Sequence, residues 1–85
     1  MNVEIYTWSA CPFCTRAKAL LDRKGISYVE HMLDGDEQAR GNMAARADGR
    51  RSVPQIFINN LHVGGCDDLH AMDCNGTLDS LLGVV

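Results

Sequence analysis

The chain lacks the features that would direct it to a membrane or to nucleic acid. No apolar run approaches the ~20 residues that a bilayer-spanning helix needs, and no charged leader with an apolar segment stands at the N-terminus. No polybasic run occurs either, and 11 acidic side chains outnumber 8 basic ones. Because binding to a phosphate backbone needs a basic patch, we expect no nucleic-acid partner and no membrane partner. These absences indicate a soluble protein of the cytoplasm.

The sequence also lacks internal repeats, linkers and low-complexity tracts. Its 85 residues are enough for a single small domain, covering residues 1–85, and we expect a monomer. Four cysteines in so short a chain could form a secreted disulfide scaffold. The absent leader and an apolar share of 46% favour a reducing compartment instead, where closely spaced cysteines are catalytic or redox-active.

The chemistry of the chain centres on a Cys-Pro-Phe-Cys motif at residues 11–14. A strand-like run at 3–7 precedes the motif and a helix-like run at 15–24 follows it. The first turn of a helix presents unpaired N–H groups and the positive end of the helix dipole, which stabilise an anion. A cysteine placed there has its pKa lowered from about 8.5, so we expect Cys11 to be a nucleophilic thiolate. Cys14 lies within one helical turn, close enough to attack a mixed disulfide on Cys11 or to close a disulfide with it.

The same pair could be half of a zinc site, because Cys-x-x-Cys alone does not exclude a structural metal. His70 and Cys74, four residues apart on a predicted helix, could supply two further ligands beside Cys11 and Cys14. Structural zinc pairs usually lie on tight polar turns, whereas an apolar strand precedes this pair and a long helix follows it. A strand-helix-strand context favours a redox pair.

Periodicity and turn signals predict the remaining elements. The short connection through Gly25 returns the chain to the sheet after the first helix, so the first two strands should be parallel. Asn59 and Asn60 tolerate positive φ, which favours a tight antiparallel hairpin. The predicted elements are a strand at 3–7, a helix at 13–24, a strand at 26–32, a helix at 36–47 capped by Asp34 or Asp36, strands at 55–58 and 61–64, a helix at 67–73, and a short last helix capped by Thr77. This order predicts an α/β domain of thioredoxin-like fold. Its four-stranded mixed sheet combines two parallel strands with an antiparallel hairpin and is flanked by helices.

Several segments resemble one family, the dithiol glutaredoxins, and in particular their small bacterial type. They are Ile-Tyr-Thr before the motif, Arg-Ala-Lys-Ala-Leu-Leu and Lys-Gly after it, Val-Pro-Gln-Ile-Phe-Ile-Asn at 53–59, and Gly-Gly-Cys-Asp-Asp-Leu at 64–69. The resemblance covers residues 3–82. It implies a glutathione-dependent thiol-disulfide oxidoreductase that reduces protein disulfides and glutathione mixed disulfides. The expected partners are therefore glutathione, as co-substrate, and disulfide-containing or glutathionylated proteins, with no metal.

The resemblance also implies roles for individual residues. Cys11 would be the nucleophile and Cys14 the resolving thiol. A cis Val53–Pro54 bond would leave backbone groups free to pair with the peptide-like glutathione. Its γ-glutamyl carboxylate would bind N–H groups at a helix start. The implied glutathione-binding residues are Phe13, Arg51, Ser52, Val53, Pro54, Gln55, Gly65, Cys66 and Asp67, with Arg51 and Gln55 as candidates for the glycine carboxylate and Asp67 for the ligand ammonium.

Two residues depart from the family pattern, and two alternatives stay open. Trp8 stands where many glutaredoxins carry a Lys, and Phe13 stands where Tyr is commonest. Asp67 could serve only as a helix cap. Cys11 and glutathione could hold an iron–sulfur cluster between two protomers, although cluster binders of the family tend to have Gly or Ser where this chain has Pro12.

Overall fold

A computed structural model describes residues 2–83; positions 1, 84 and 85, which the single-domain prediction also covers, lie outside the described residues. The elements follow the predicted order. They are β1 (Val3–Thr7), α1 (Pro12–Arg23), β2 (Val29–Met32), α2 (Glu37–Arg46), β3 (Gln55–Ile58), β4 (Leu61–Gly64), α3 (Cys66–Cys74) and α4 (Thr77–Leu82). No helix in the described part of the chain is both long enough and apolar enough to span a bilayer.

The strands form one mixed sheet in the order β2-β1-β3-β4. β1 and β2 are parallel, as the connection through a crossover helix requires, and β3 is antiparallel to both β1 and β4. Asn59 and Asn60 both have positive φ, at 51° and 67°, and make the tight turn between β3 and β4. The predicted thioredoxin-like fold, with a parallel pair and an antiparallel hairpin, is therefore confirmed.

The helices cover both faces of the sheet. Apolar side chains of β1 and β3 pack with those of α1, α3 and α4 in one buried core, made of Val3, Ile5, Ala17, Leu20, Leu21, Ile56, Ile58, Cys66, Leu69, Leu78 and Leu82. On the other face, the Arg46 guanidinium of α2 lies 4.1 Å from the ring centroid of Phe57. β3 is thus enclosed by helices on both sides and by strands at both edges, and all four of its residues are buried. This enclosure fixes the end of β3 from which the candidate site is built.

Arg46 also ties α2 to the sheet through a pair of charge-assisted hydrogen bonds. Its two terminal nitrogens donate to the two carboxylate oxygens of Glu4 at 3.1 and 3.0 Å, and Nη1 also donates to the hydroxyl of Tyr6 at 2.9 Å. His31 contacts the same carboxylate at 3.1 Å. The hydrogen bond from Arg46 is the largest cause that lowers the pKa of Glu4.

Several predicted element ends differ from the structure, and one predicted cap is confirmed. The second strand begins at Val29 rather than at residue 26, because the turn after α1 engages Gly25 and Ile26 in backbone bonds back to the helix. Asp36, the second of the two proposed residues, caps α2 by accepting the N–H of Ala39 at 3.0 Å. Thr77 does not cap the last helix. It is the first helical residue, preceded by a glycine with φ 82°.

Candidate redox site and adjoining groove

Cys11 lies at the N-terminal end of α1, directly after the loop that follows β1. It is the N-cap residue, and its Sγ accepts the backbone N–H of Cys14 at 3.1 Å. The sulfur therefore takes the place of a capping oxygen, where unpaired N–H groups and the helix dipole favour an anion. Pro12 follows as the first helical residue, where its missing N–H costs no hydrogen bond. The start of α1 is thus suited to a thiolate at Cys11.

The two cysteines of the motif differ in their access to solvent. Cys14 is only 1% exposed, whereas Cys11 is half-buried. Their sulfurs are joined in a disulfide, with the two Cα atoms 5.2 Å apart, so the prediction that the pair can close a disulfide is confirmed. An incoming disulfide can approach the Cys11 sulfur more readily than the Cys14 sulfur.

An open groove adjoins the redox pair, between the loop before β3 and the start of α3. The peptide bond between Val53 and Pro54 is cis, as the resemblance implies, and the Val53 carbonyl oxygen lies 3.8 Å from Sγ of Cys11. The groove is lined by Phe13, Arg50, Ser52, Val53, Pro54, Gly65, Cys66, Asp67 and Asp68. Its walls therefore come from α1, from the loop before β3 and from α3, which are distant in sequence.

Most of the residues that the resemblance assigns to glutathione lie together in this groove. These are Phe13, Ser52, Val53, Pro54, Gly65, Cys66 and Asp67. The other two do not line it. Arg51 is exposed and donates to Glu37 at 3.0 Å. Gln55 is fully buried, and its amide is hydrogen-bonded to protein groups.

The start of α3 is capped by Asp68. The helix follows the N-cap residue Gly65, one residue earlier than predicted, and Asp68 Oδ2 accepts the Gly65 N–H at 2.9 Å. Arg50 donates to the same oxygen at 3.3 Å. The hydrogen bond from Gly65 is the largest cause that lowers the pKa of Asp68. Asp67 is exposed at the groove, and no hydrogen bond within residues 2–83 engages its side chain.

Gly64 is required by the close approach of this cap. Its φ of 122° is a conformation that L side chains rarely adopt, and a Cβ added there would overlap the Asp68 carboxylate. A Cβ on Gly65 would stand 3.3 Å from the carbonyl oxygen of Pro54. The Gly-Gly pair therefore allows α3 to pack directly against the loop that carries the cis bond.

Arg50 and Asp68 are groove residues that the sequence reasoning missed. The signal for Asp68 is its position three residues after Gly65, the spacing of a side chain that reaches back to the residue before a helix. Arg50 belongs to the same basic loop as Arg51, and the sequence gives no basis for choosing between the two. The structure separates them by their partners, because Arg50 pairs with Asp68 across the groove.

The loop that precedes Cys11 is held in place by Arg40 of α2 and by Asp34, which lies before α2. The Ser9 N–H donates to Asp34 Oδ1 at 3.0 Å, and its hydroxyl donates to the same carboxylate. The hydrogen bond from the Ser9 hydroxyl is the largest cause that lowers the pKa of Asp34, and the bond from the Ser9 N–H also lowers it. The Arg40 guanidinium lies 4.7 Å from the ring centroid of Trp8. Asp34, offered as a cap for α2, therefore fixes the redox loop instead.

The other two cysteines stand outside the redox pair. Cys66 is buried in the groove wall, and burial raises the pKa of its thiol, whereas Cys74 is exposed. Within residues 2–83, no three His, Cys, Asp or Glu side chains are grouped as metal ligands would be. The ligand set of the zinc alternative, including His70, is therefore not assembled in the described part of the chain.

The fold and the site define a class of protein, the thiol-disulfide oxidoreductases of thioredoxin-like fold. The Glutaredoxin family model matches residues 3–63. A probable glutaredoxin of Synechocystis is 62% identical over 81 residues, covering 95% of this chain and 92% of that protein. Glutaredoxin 3 of Escherichia coli is 57% identical, with 95% and 96% covered. The structure also matches buckwheat glutaredoxin, solved as a complex with glutathione, with a TM-score of 0.89 at 28% identity over 96% of this chain and 76% of that one.

The chain belongs to the glutaredoxin family. It is an enzyme, a glutathione-dependent thiol-disulfide oxidoreductase, and glutathione is its co-substrate.

Proposed function

We propose that Cys11 is the nucleophile and Cys14 the resolving thiol in the reduction of protein disulfides and glutathione mixed disulfides. The observation that supports this assignment is the contrast between a half-buried Cys11, whose sulfur accepts the Cys14 N–H at 3.1 Å, and a Cys14 that is 1% exposed. The capped sulfur is stabilised as a thiolate, which is the attacking form. The protected sulfur can reach only a disulfide formed on its neighbour.

The dithiol reaction follows from these roles. The Cys11 thiolate attacks a substrate disulfide, forming a mixed disulfide and releasing one substrate thiol. Cys14 then attacks the Cys11 sulfur and releases the second thiol, so the enzyme is oxidised by two electrons and the substrate is reduced by two. One glutathione thiolate attacks Cys11 and frees Cys14, and a second attacks the bound glutathione to give glutathione disulfide.

A glutathionylated substrate needs Cys11 alone. Its thiolate attacks the glutathione sulfur, releases the substrate thiol and retains glutathione as a mixed disulfide, which a second glutathione then reduces. This route requires the glutathione moiety to be oriented before the attack. The groove beside Cys11 supports that requirement, because Val53 lines it and the Val53 carbonyl oxygen lies 3.8 Å from the Cys11 sulfur.

The groove offers complementary groups for the charged end of glutathione. The α3 start supplies N–H groups at Cys66 and Asp67, and a helix N-terminus attracts a carboxylate. The Asp67 carboxylate, exposed at the same place, can accept from the ligand ammonium. Arg50 contributes a positive charge to the groove and is 3.3 Å from Asp68. Ser52, Val53 and Pro54 would hold the peptide backbone of the ligand by strand-like pairing.

The remaining expectations belong to the same proposal. We expect disulfide-containing and glutathionylated proteins as substrates and the cytoplasm as the compartment, because the catalytic cycle needs a reducing glutathione pool. We also expect a monomer. The net charge of −3 supports neither a nucleic-acid partner nor an anionic membrane surface.

Turnover of a glutathionylated peptide, coupled to glutathione reductase, tests the proposal. We expect activity in the wild type and in Cys14→Ser, because the monothiol route needs one sulfur, and no activity in Cys11→Ser. Reduction of a protein disulfide should be lost in Cys11→Ser. In Cys14→Ser it should be lost or strongly slowed. Activity retained by Cys11→Ser would refute the assignment of the nucleophile.

A further inference from the structure

We propose that Gln55 is a positioning residue that acts through Ser52 to hold the glutathione-binding edge of the groove, and that His62 fixes Gln55 in its working orientation. The inference rests on the proposed function, because it concerns how the groove is kept in shape for a glutathione moiety. It gives a buried glutamine and its half-buried histidine partner a role in the recognition of the co-substrate.

Gln55 contacts the edge of the groove through Ser52. Gln55 is 0% exposed, and its Nε2 donates to the backbone carbonyl of Ser52 at 3.1 Å and to the Ser52 hydroxyl at 3.3 Å. Ser52 and Val53 line the groove, and the Val53 carbonyl lies 3.8 Å from the Cys11 sulfur. The amide therefore fixes the segment that would pair with glutathione, although Gln55 itself does not line the groove.

The partners of Gln55 also determine the orientation of its amide. The Gln55 Nε2 donates to both Ser52 groups, so the Gln55 Oε1 faces His62. The Nε2 atom of His62 lies 2.7 Å from this oxygen. An amide oxygen is an acceptor only, so His62 must carry its proton on Nε2. The imidazole stacks on Phe57, with ring centroids 5.0 Å apart, which limits its rotation. His62 on β4 thus clamps an amide on β3 that in turn holds the loop before β3.

The buried amide of Gln55 is costly to leave without these partners. Leaving a buried donor or acceptor without a partner costs more free energy than an ordinary hydrogen bond contributes. Other orientations of the Gln55 amide would therefore be unfavourable. The charged groups whose fields act on His62 are Arg50, Asp68 and Asp48, and burial is the largest cause that lowers the pKa of His62. The hydrogen bond to Gln55 needs only the proton on Nε2 of His62, which the charged ring and the matching neutral tautomer both carry.

The test compares recognition of glutathione with the intrinsic reactivity of Cys11. In a Cys14→Ser background, kcat/KM is measured for a glutathionylated peptide, and alkylation of Cys11 by iodoacetamide is followed by mass spectrometry. We expect Gln55→Met to lower kcat/KM about tenfold, the effect of losing buried hydrogen bonds that orient the site. The alkylation rate should change by less than about twofold, because the cap on Cys11 is untouched.

Two further variants keep the test decisive. His62→Phe keeps a ring that can stack on Phe57 but removes the N–H donor, and we expect it also to lower kcat/KM. If Gln55→Met does not fold, His62→Phe provides the test. Ile58→Val shortens a buried side chain at the far end of β3 and serves as the control for lost packing, with kcat/KM expected unchanged.

An unchanged kcat/KM in folded Gln55→Met or in His62→Phe would overturn the inference, as would an equal loss in Ile58→Val or a parallel loss of the alkylation rate. In each of these cases the wild type still turns over the peptide, so the proposed function stands. No turnover by the wild type would instead refute the proposed function itself.

Discussion

Replacing Arg46 by methionine should remove more stability than any comparable change on the surface. The guanidinium donates to both oxygens of Glu4 and to the Tyr6 hydroxyl, and lies over the ring of Phe57. The side chains of Arg46 and Glu4 are 32% and 15% exposed, so the pair is partly withdrawn from water. Methionine keeps the apolar stem but leaves the carboxylate with His31 as its remaining side-chain partner.

The magnitude follows from the two bonds to the carboxylate. Hydrogen bonds to a charged group contribute about 1.5 kcal/mol each or more, so we expect Arg46→Met to lower the free energy of unfolding by about 3 kcal/mol. For a domain of this length, the melting temperature would fall by about 15 °C. The matched control is Arg51→Met, because the Arg51–Glu37 pair has side chains 54% and 79% exposed and should contribute less than about 0.5 kcal/mol.

Urea unfolding at pH 7, followed by far-ultraviolet circular dichroism, measures both variants in the same redox state. The pH dependence adds a second check. The pKa of Glu4 is lowered in the folded state, so its contribution is fully present above its unfolded value of about 4.3 and is lost as pH falls through the folded value. The gap between the wild type and Arg46→Met should therefore narrow at acid pH. Equal costs for Arg46→Met and Arg51→Met at pH 7 would refute the reasoning.

Two further predictions concern the start of α3. Gly64→Ala should weaken use of glutathione mixed disulfides about tenfold or more, because its φ is strained for alanine and its Cβ would displace the Asp68 carboxylate. Gly76→Ala is the matched control, because Gly76 also has positive φ but open space around it. This variant should lower stability without changing kcat/KM for a glutathione mixed disulfide. Asp68→Asn should lower the free energy of unfolding by about 0.5 kcal/mol at pH 7 in urea titrations and less at pH 3, since the lowered pKa of Asp68 means that its stabilising charge is lost on acidification. A cost that grew toward pH 3 would contradict that assignment.

Local signals were enough to predict the elements of this fold. The bounds of β1, β3 and β4 agree with the predicted strands because alternation and the Asn59-Asn60 turn are encoded in adjacent residues. The first helix was recognisable from its periodicity and from the proline at its start. The second strand was predicted three residues too long, since its apolar run extends into a turn whose backbone bonds return to α1. Propensity reports only what a segment favours, and the pairing register decides where a strand begins.

The groove could not be predicted from local signals in the same way. It joins α1, the loop before β3 and the start of α3, and only the resemblance to a family pointed to most of its residues. The choice between Arg50 and Arg51 depends on which guanidinium finds a carboxylate across the groove. Likewise, Asp68 rather than Asp67 caps α3, because the helix begins at Cys66. The two adjacent aspartates in the sequence do not determine where this helix begins.

Gln55 shows how burial changes the role of a polar residue. A strand exposed on one face would have alternated buried and exposed side chains, and a glutamine at its end would have been available to a ligand. β3 is instead central, paired with β1 and β4 and covered by helices on both faces, so its glutamine is enclosed. An enclosed amide must find its partners within the protein. Here those partners are Ser52 at the groove edge and His62 on the neighbouring strand, so its enclosure couples Gln55 to the loop that we propose binds glutathione.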